Sequence, residues 1–455
     1  MATLGSFYVF NDTYGPKEGE EIKKVLYYYP PTADENKKCK DVGLVEAMIK
    51  FVETFTNSPC QAVHTQKQRH LYYQPEKNFW MVLCVNIPCT TKQRDDQTIS
   101  EYHDEAVHDN VFGIVLRQAY NMFKLFMGTF IDIISRAHGD VQSLKLRLEH
   151  FYSRYLSTLK LSQCDILDVY NGISWLPLDK GMYLRIQCLM NRLESKYSQI
   201  AYTAFLCSDY LVWTGVPQQD MQVIYQYLIS SLFPSHHEQE MASQDGSRQS
   251  FSGNNYGQFI TGVPLRPQDS KPSRIPRVYI NVDGVLKDFQ LIVYRALSVT
   301  VCALIDGSYT ITPAFSKKFD AELGPTLTEL ASEIVQKYPS KPSSGTDLTI
   351  KYIYFNHMNL ATKTTVHVDT RKTRLVSVPA DILSTVADMN ASLKRVEHDA
   401  ECLVRTAGEY WVVCKKSDTR ELYVVICDKN ANLTQINDEV KRLCLTQFTN
   451  MFQID

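Results

Sequence analysis

The sequence lacks the glycine-rich loops and long apolar runs that mark nucleotide-binding or membrane-spanning chains. It contains no G-x-x-x-x-G-K-[ST] stretch and no G-x-G-x-x-G after a strand pattern, which argues against a GTPase or a kinase. Its longest apolar stretch, residues 291–305, carries Arg295 and is too short to span about 30 Å of hydrocarbon. The chain has 48 Lys and Arg against 50 Asp and Glu, so its net charge is close to zero. The protein as a whole therefore has no strong positive electrostatic field that would attract nucleic acid or anionic lipid.

Patterns for nucleophiles and metal ligands are incomplete. The stretch GISWL places Leu176 where a nucleophile elbow needs its second glycine, so Ser174 is not expected to be catalytic. The stretch HHEQEM places Met241 where a zinc protease needs its second histidine, and Cys84 and Cys89 have no matching cysteine pair. We therefore expect no catalytic residue, no metal site and no cofactor.

The first residues, MATLGSFYVFNDTYG, show no basic segment followed by an apolar core, so we expect no secretory signal and a cytosolic chain. The 12 cysteines fall mostly within apolar strand or helix patterns. We interpret them as small core residues and not as a disulfide framework.

What the sequence does contain indicates a folded chain of several domains. Hydrophobic residues make up 44% and charged residues 22% of the 455 positions, which is typical of a folded protein. At about 150 residues per domain, this length favours three domains. We place them at 1–165, 166–340 and 341–455. A polar stretch, 234–276, is interpreted as a mobile loop inside the second domain, and a Pro/Ser-rich stretch, 338–347, as the last linker.

Similar hairpin patterns occur three times, in NFWMVLCVNIP, YTAFLCSDYLVWTG and GEYWVVCKKSDTRELYVV. The pattern of the first third predicts strands and a helix, then a polar loop at 89–105 and two long helices. The pattern of the final third predicts the order β-β-α-β-β-β-α. This order predicts an α+β fold, a five-stranded, mainly antiparallel sheet with helices on one side. Trp80 and Trp411 lie in continuous apolar strands and are expected in the core.

Ordered blocks along the whole chain resemble the calcium-caffeine-zinc sensitivity family of vacuolar fusion proteins, CCZ-one. They include FNDTYGPKEGEE, VHTQK, NFWMV, LPLDK, YTAFL, IYFNHMNLA, KKSDTRELYVV and KNANL. The resemblance implies three tandem longin domains, each a five-stranded sheet with flanking helices, so that the repeated hairpins are edges of longin sheets. The segments 89–105 and 234–276 depart most from the family.

The resemblance also implies a function without a reactive side chain. Family members pair obligatorily with a MON-one subunit and act as the guanine-nucleotide exchange factor of the late-endosomal Rab GTPase, Rab-seven, with a third β-propeller subunit in animals. The chain would then be cytoplasmic and peripherally recruited to anionic late-endosomal and lysosomal membranes, where it would drive maturation, fusion and autophagy, with no nucleic-acid partner. The alternative is a longin scaffold or tether without exchange activity.

Two surfaces are candidates for binding. Polar residues on the first-domain helix and the adjoining segment are candidates for contact with the GTPase or the partner, the alternative being a solvated face: Glu46, Lys50, Glu53, His64, Gln66, Lys67 and Arg69. A second apolar stripe on the helix at 111–130 is a candidate heterodimer face, the alternative being coverage by the following helix: Phe112, Leu116, Tyr120 and Phe126. The basic stretches 371–374 and 393–396 are candidates for anionic lipid or are simply exposed turns.

Overall fold

The computed structural model describes residues 2–56, 59–94, 97–244, 256–263, 275–338, 350–366 and 378–448. The linker interpreted at 338–347 and the basic stretch 371–374 fall almost entirely outside these ranges. The chain forms two compact units. The first unit consists of residues 1–170, 349–353 and 364–455, and the second of residues 171–348 and 354–363.

The described residues of the first third form a five-stranded sheet, a separate hairpin and several α-helices. The sheet strands are β1 Thr3–Asn11, β2 Val25–Tyr29, β3 Ala62–His64, β4 Gln68–Glu76 and β5 Phe79–Asn86. The hairpin is β6 Cys89–Arg94 with β7 Gln97–Tyr102. The helices are α1 Glu35–Glu53, α2 Asp109–Met127, α3 Phe130–Arg136, α4 Val141–Thr158 and α5 Ile166–Tyr170.

The middle and final thirds repeat this plan. The middle strands are β8 Ile200–Cys207, β9 Tyr210–Thr214, β10 Gln258–Thr261, β11 Arg277–Val282, β12 Val285–Ala296 and β13 Val299–Asp306; the helices are α6 Lys180–Lys196, α7 Gln218–Tyr227, α8 Phe233–Gln244 and α9 Pro313–Lys337. A π-helical turn, Leu228–Leu232, joins α7 to α8. The final elements are β14 Ile350–Asn356, β15 Ala361–Thr364, α10 Ala380–Leu393, β16 Ala400–Arg405, β17 Tyr410–Ser417, β18 Arg420–Cys427 and α11 Leu433–Gln447.

The three sheets share one strand order. The first runs β2-β1-β5-β4-β3 and the last β15-β14-β18-β17-β16, which is the same order when strands are counted within each third. The middle sheet runs β9-β8-β13-β12-β10, with β11 also pairing with β12, so two short strands share the place of the third strand. This confirms the α+β prediction of antiparallel sheets of about five strands.

The first sheet is buried on both faces, because successive residues of β1 and β5 point in opposite directions and both sets are apolar. Tyr8, Phe10 and Trp80 belong to the cluster beneath α1. Phe7 and Met81 belong to the cluster beneath α2 and α4. Helices therefore cover both faces, and the expectation of helices on one side is wrong for this domain.

Both segments interpreted as polar loops contain regular structure. Within 89–105 the chain forms the hairpin β6–β7, whose six residue pairs run from Cys89 opposite Tyr102 to Arg94 opposite Gln97. Within 234–276 the described residues include most of α8 and the whole of β10. The stretches TTKQR and QTISEY contain β-branched residues, which favour strands, but the high polarity of 89–105 concealed this signal.

A buried polar cluster joins the first and last domains inside the first unit. Asn390, on α10, is completely buried and donates from Nδ2 to the hydroxyls of Tyr170 at 2.8 Å and Tyr423 at 3.0 Å. Both hydroxyls donate to Oε2 of Glu421, at 2.6 and 2.8 Å. The Asn390 amide oxygen in turn accepts from Nδ2 of Asn110 at 3.2 Å.

This cluster provides hydrogen bonds for a carboxylate that is almost wholly removed from water, since Glu421 is 5% exposed. Burial, together with the nearby Tyr423 and Glu421, raises the pKa of Tyr170, so its hydroxyl keeps the proton that it donates. Removing one member leaves buried polar groups unpaired, which costs more than the bond itself contributed.

We expect Asn390→Leu to lower the free energy of unfolding by about 1–3 kcal/mol, because the hydroxyls and the carboxylate lose a buried donor. The measurement is the midpoint of urea unfolding of the full chain. Asn437→Leu, at an exposed position of α11, is the control and should change the stability by less than about 0.5 kcal/mol. Equal midpoints for the two variants would contradict the stabilising role of the cluster.

Candidate functional site

Helix α1 has one buried side and one exposed side. It begins after Asp34, whose side chain accepts a hydrogen bond from the backbone N–H of Lys37 at 3.0 Å. Its inner side carries Val42, Val45 and Ile49, which recur at helical spacing and are buried against the sheet. The residues on the opposite side are mostly exposed.

That opposite side carries large apolar residues. Leu44 is 46% exposed, Phe51 is 60% exposed, and Phe55, two residues beyond the helix end, is 74% exposed. The rings of Phe51 and Phe55 pack edge to face, with their centroids 5.0 Å apart. Clustered exposed aromatic side chains in a folded protein mark an interaction surface.

Sequence periodicity does not identify this apolar face. Phe55 follows Val42, Val45, Ile49 and Val52 at helical spacing, which predicts an inner position for it, whereas the structure exposes it. The missed signal is a second apolar series on the same helix, at positions 44, 51 and 55, offset from the inner series. A helix with apolar residues on two sides needs two partners, and the sheet supplies only one.

Two of the predicted binding residues form an ion-pair chain on α1. Glu46 accepts from Lys24 Nζ through Oε2 and from Lys50 Nζ through Oε1, each at 2.6 Å. The Glu46 side chain is 15% exposed, and burial opposes its ionisation; the two lysine hydrogen bonds nevertheless hold its pKa below the usual range. Lys50 and the neighbouring Glu53 are both exposed.

His64 and Arg69 form a second cluster, separate from this chain. His64 Nε2 lies 2.6 Å from Oδ2 of Asp109, at the start of α2. Arg69 is 6% exposed, and its Nη2 lies 2.7 Å from Oδ2 of Asp104. Arg69 is thus a structural cation inside the domain, and its prediction as a surface contact is wrong.

Gln66 and Lys67 are exposed in the turn between β3 and β4. The strand β3 lies at the edge of the sheet, and Val63 on it packs against the same cluster as Val52 of α1. Helix α1 and the edge strand β3, which ends in the exposed turn, therefore pack against the same core cluster. We call Leu44, Phe51, Phe55 and the edge strand β3 the α1 surface.

The predicted heterodimer face on α2 lies inside the protein. Phe112, Leu116 and Tyr120 are 3%, 1% and 5% exposed, and Phe126 is half-buried. The first three belong to the core cluster that also holds residues of the sheet and of α4, so the prediction of a heterodimer face is wrong for them. Sequence periodicity shows two apolar stripes but not which neighbour covers the second.

Tyr120 also has a polar partner in the interior. Its hydroxyl donates to Oε1 of Glu76 at 2.7 Å, and Glu76 also accepts the backbone N–H groups of Phe130 and Ile131 at the start of α3. Burial, and next the adjacent Glu76 carboxylate, raise the pKa of Tyr120. Glu76, at the end of β4, therefore connects both α2 and the start of α3 to the sheet through one carboxylate.

The remaining predictions have mixed outcomes. Trp80 and Trp411 are 4% and 8% exposed, which confirms both as core residues. Within 393–396 Leu393 is buried, while the other three residues are exposed. Across the described part of the chain, no helix is long and apolar enough to cross a membrane, and no group of three or more His, Cys, Asp or Glu side chains is arranged to hold a metal ion.

Three family models match consecutive parts of the chain. The first longin domain of INTU, CCZ1 and HPS4 matches residues 4–128, Intu longin-like domain 2 matches residues 200–327, and Intu longin-like domain 3 matches residues 346–443. Each match contains most of one of the three sheets with the common strand order. The fold and these matches define a tandem longin-domain protein.

Curated proteins from distant organisms are similar over the full length. The vacuolar fusion protein CCZ1 homolog of Xenopus laevis is 44% identical to this chain, and the alignment covers 100% of this chain and 98% of the homolog. The Danio rerio homolog is 45% identical, and the alignment covers 100% of this chain and 96% of the homolog. The Dictyostelium discoideum homolog is 28% identical over 99% and 98%. The chain belongs to the CCZ1 family of vacuolar fusion proteins, which confirms the resemblance.

We expect Glu46→Gln to lower the free energy of unfolding by about 1 kcal/mol at pH 7, because Lys24 and Lys50 lose a charged acceptor. The folded-state pKa of Glu46 lies below its usual 4.5, so its stabilising effect is present above pH 4.5 and is lost as the pH falls through the folded-state value. The difference between wild type and Glu46→Gln should therefore shrink below pH 4.5 in urea titrations at a series of pH values.

The exposed Glu53→Gln is the matched control on the same helix. It should change the stability little at any pH. A Glu46→Gln difference that stayed constant, or grew, as the pH fell below 4.5 would be inconsistent with the ion-pair chain.

Proposed function

We propose that this chain is the CCZ-one subunit of a heteromeric guanine-nucleotide exchange factor that pairs with MON-one and promotes GDP release from Rab-seven. It acts by binding and supplies no catalytic side chain or cofactor. Family membership over the full length supports the proposal. The observation that carries it is the α1 surface, an apolar face on a domain whose own core is already complete.

The α1 surface has the composition of a partner-binding surface. Two adjacent phenylalanine rings, exposed by 60% and 74%, supply the large apolar area that dominates binding energy at protein interfaces. The adjoining edge strand β3 has β4 as its strand neighbour in the described sheet, which leaves its other side for main-chain pairing. We assign this surface to MON-one.

The exposed charges next to the α1 surface suit the GTPase. Lys50, Glu53 and Lys67 are exposed, and long charged side chains at the rim of an interface favour encounter and orientation more than affinity. In this proposal the two subunits together build a composite site at this rim.

The exchange reaction needs only differential affinity. An exchange protein that binds the nucleotide-free GTPase more tightly than the nucleotide-bound form must weaken nucleotide binding to the GTPase by the same ratio. Each 1.4 kcal/mol of difference in binding free energy weakens the affinity of the GTPase for the nucleotide about tenfold. Contacts that displace a loop of the GTPase supply this difference without proton transfer or covalent chemistry. Peripheral recruitment to late-endosomal membrane would place the pair beside its GTPase.

The test is the release of a fluorescent GDP analogue from Rab-seven, with this chain alone, with MON-one alone and with both. We expect acceleration only by the pair. The double substitution Phe51→Ser and Phe55→Ser should remove two aromatic side chains that each contribute about 2 kcal/mol of binding free energy. The two subunits should then dissociate, and the acceleration of GDP release should be lost.

Leu146→Ser is the matched control, because Leu146 is 63% exposed on α4 and lies outside the α1 surface. It should leave pairing and exchange unchanged. A stable, folded pair that does not accelerate release would refute the exchange function and leave a longin scaffold or tether. Exchange that survives the double substitution would refute the assignment of the α1 surface.

A further inference from the structure

The last sheet brings two cysteines directly opposite each other. Cys402 on the edge strand β16 pairs in register with Cys414 on β17. Directly opposed residues of antiparallel strands place their side chains on the same face. Such an arrangement of two thiols is the geometry in which a cross-strand disulfide can be formed.

The register also fixes the separation of their Cα atoms. The N–H of Thr406 donates to the carbonyl of Tyr410 at 2.9 Å where the ladder ends. Hydrogen-bonded pairs recur at every second residue, which places Cys402 and Cys414 at a hydrogen-bonded pair with Cα atoms about 5.5 Å apart. Disulfides join Cα atoms that are about 4.4–6.8 Å apart, and this pair lies within that range.

The two thiols differ in access. Cys402 is exposed at the edge of the sheet, whereas Cys414 is completely buried. Burial raises the pKa of the Cys414 thiol, which keeps this sulfur protonated and slow to react at neutral pH. A small reagent therefore meets Cys402 first, and Cys414 reacts only with a group already attached to Cys402.

We propose that Cys402 and Cys414 form a reversible thiol–disulfide modification site that is oxidised by low-molecular-weight disulfides such as glutathione disulfide. This inference is independent of the proposed exchange function.

The reaction proceeds in two exchanges. The Cys402 thiolate attacks one sulfur of the small disulfide, breaks its S–S bond and releases the first thiolate. The Cys414 sulfur then gives up its proton and attacks Cys402, which breaks the mixed disulfide and releases the second thiolate. Both released thiolates take up the protons lost by the two cysteines. The small disulfide is reduced to two thiols as the cysteine pair is oxidised.

The modification lies beside the polar cluster that joins the first and last domains. Cys414 is directly opposite Tyr423 in the next strand pair, and Tyr423 is a member of that cluster. Oxidation covalently fixes the edge strand β16 to β17. The amides of β16 should consequently exchange with solvent more slowly in the oxidised protein than in the reduced protein.

The test uses the full-length chain incubated with glutathione disulfide, digested without reductant and analysed by peptide mass spectrometry. We expect a linked peptide pair that contains Cys402 and Cys414 and is lost on adding dithiothreitol. Cys402→Ser, at an exposed position, should abolish it, while Cys188→Ser, at an exposed cysteine of α6, should leave it intact. Cys414→Ala should instead accumulate the mixed disulfide at Cys402.

Two results would overturn the proposal. One is a wild-type protein in which glutathione stays attached to Cys402 and no linked pair forms. The other is linkage of Cys402 to other cysteines at the same level as to Cys414.

Discussion

Burial of both faces of the first sheet is the constraint on which the rest of the first domain depends. Phe7 and Tyr8 are neighbours in sequence, point to opposite sides of β1, and are each 1% exposed. One layer of helices cannot cover both sides, so α1 covers one face and α2 with α4 covers the other. A helix that must bury one side leaves its other side to solvent or to a partner, and in α1 that other side carries Leu44, Phe51 and Phe55.

Much of this architecture could be predicted from the sequence. Continuous apolar strands such as NFWMVLCVNI and turn residues between periodic segments predicted the repeated hairpins, and the structure contains them with one strand order. The turn between β12 and β13 could not be predicted. The chain reverses at Leu297, whose φ is 53°, and this turn contains neither the glycine nor the asparagine that usually marks such a reversal. Bulky residues rarely adopt that conformation, so no local rule identifies it.

The candidate site was harder to predict for a related reason. The apolar residues of α2 and the apolar residues on the outside of α1 have similar composition. Those of α2 are mostly buried in the domain core, whereas the outer side of α1 is not covered by any described part of the first unit. Charge was an equally poor guide, since Arg69 is buried in an ion pair while Lys67, two residues earlier, is exposed. Which side of an element is covered depends on tertiary packing, which local patterns do not encode.

The central claim is that the outer face of α1 and the edge strand β3 bind the partner subunit. The most direct measurement is amide hydrogen exchange of the full chain, alone and in complex with MON-one. Slower exchange in α1 and β3, with no change in α4, is the result expected from an interface at the α1 surface. Slower exchange in α4 or α11, with α1 and β3 unchanged, would contradict it and place the partner on another face of the chain.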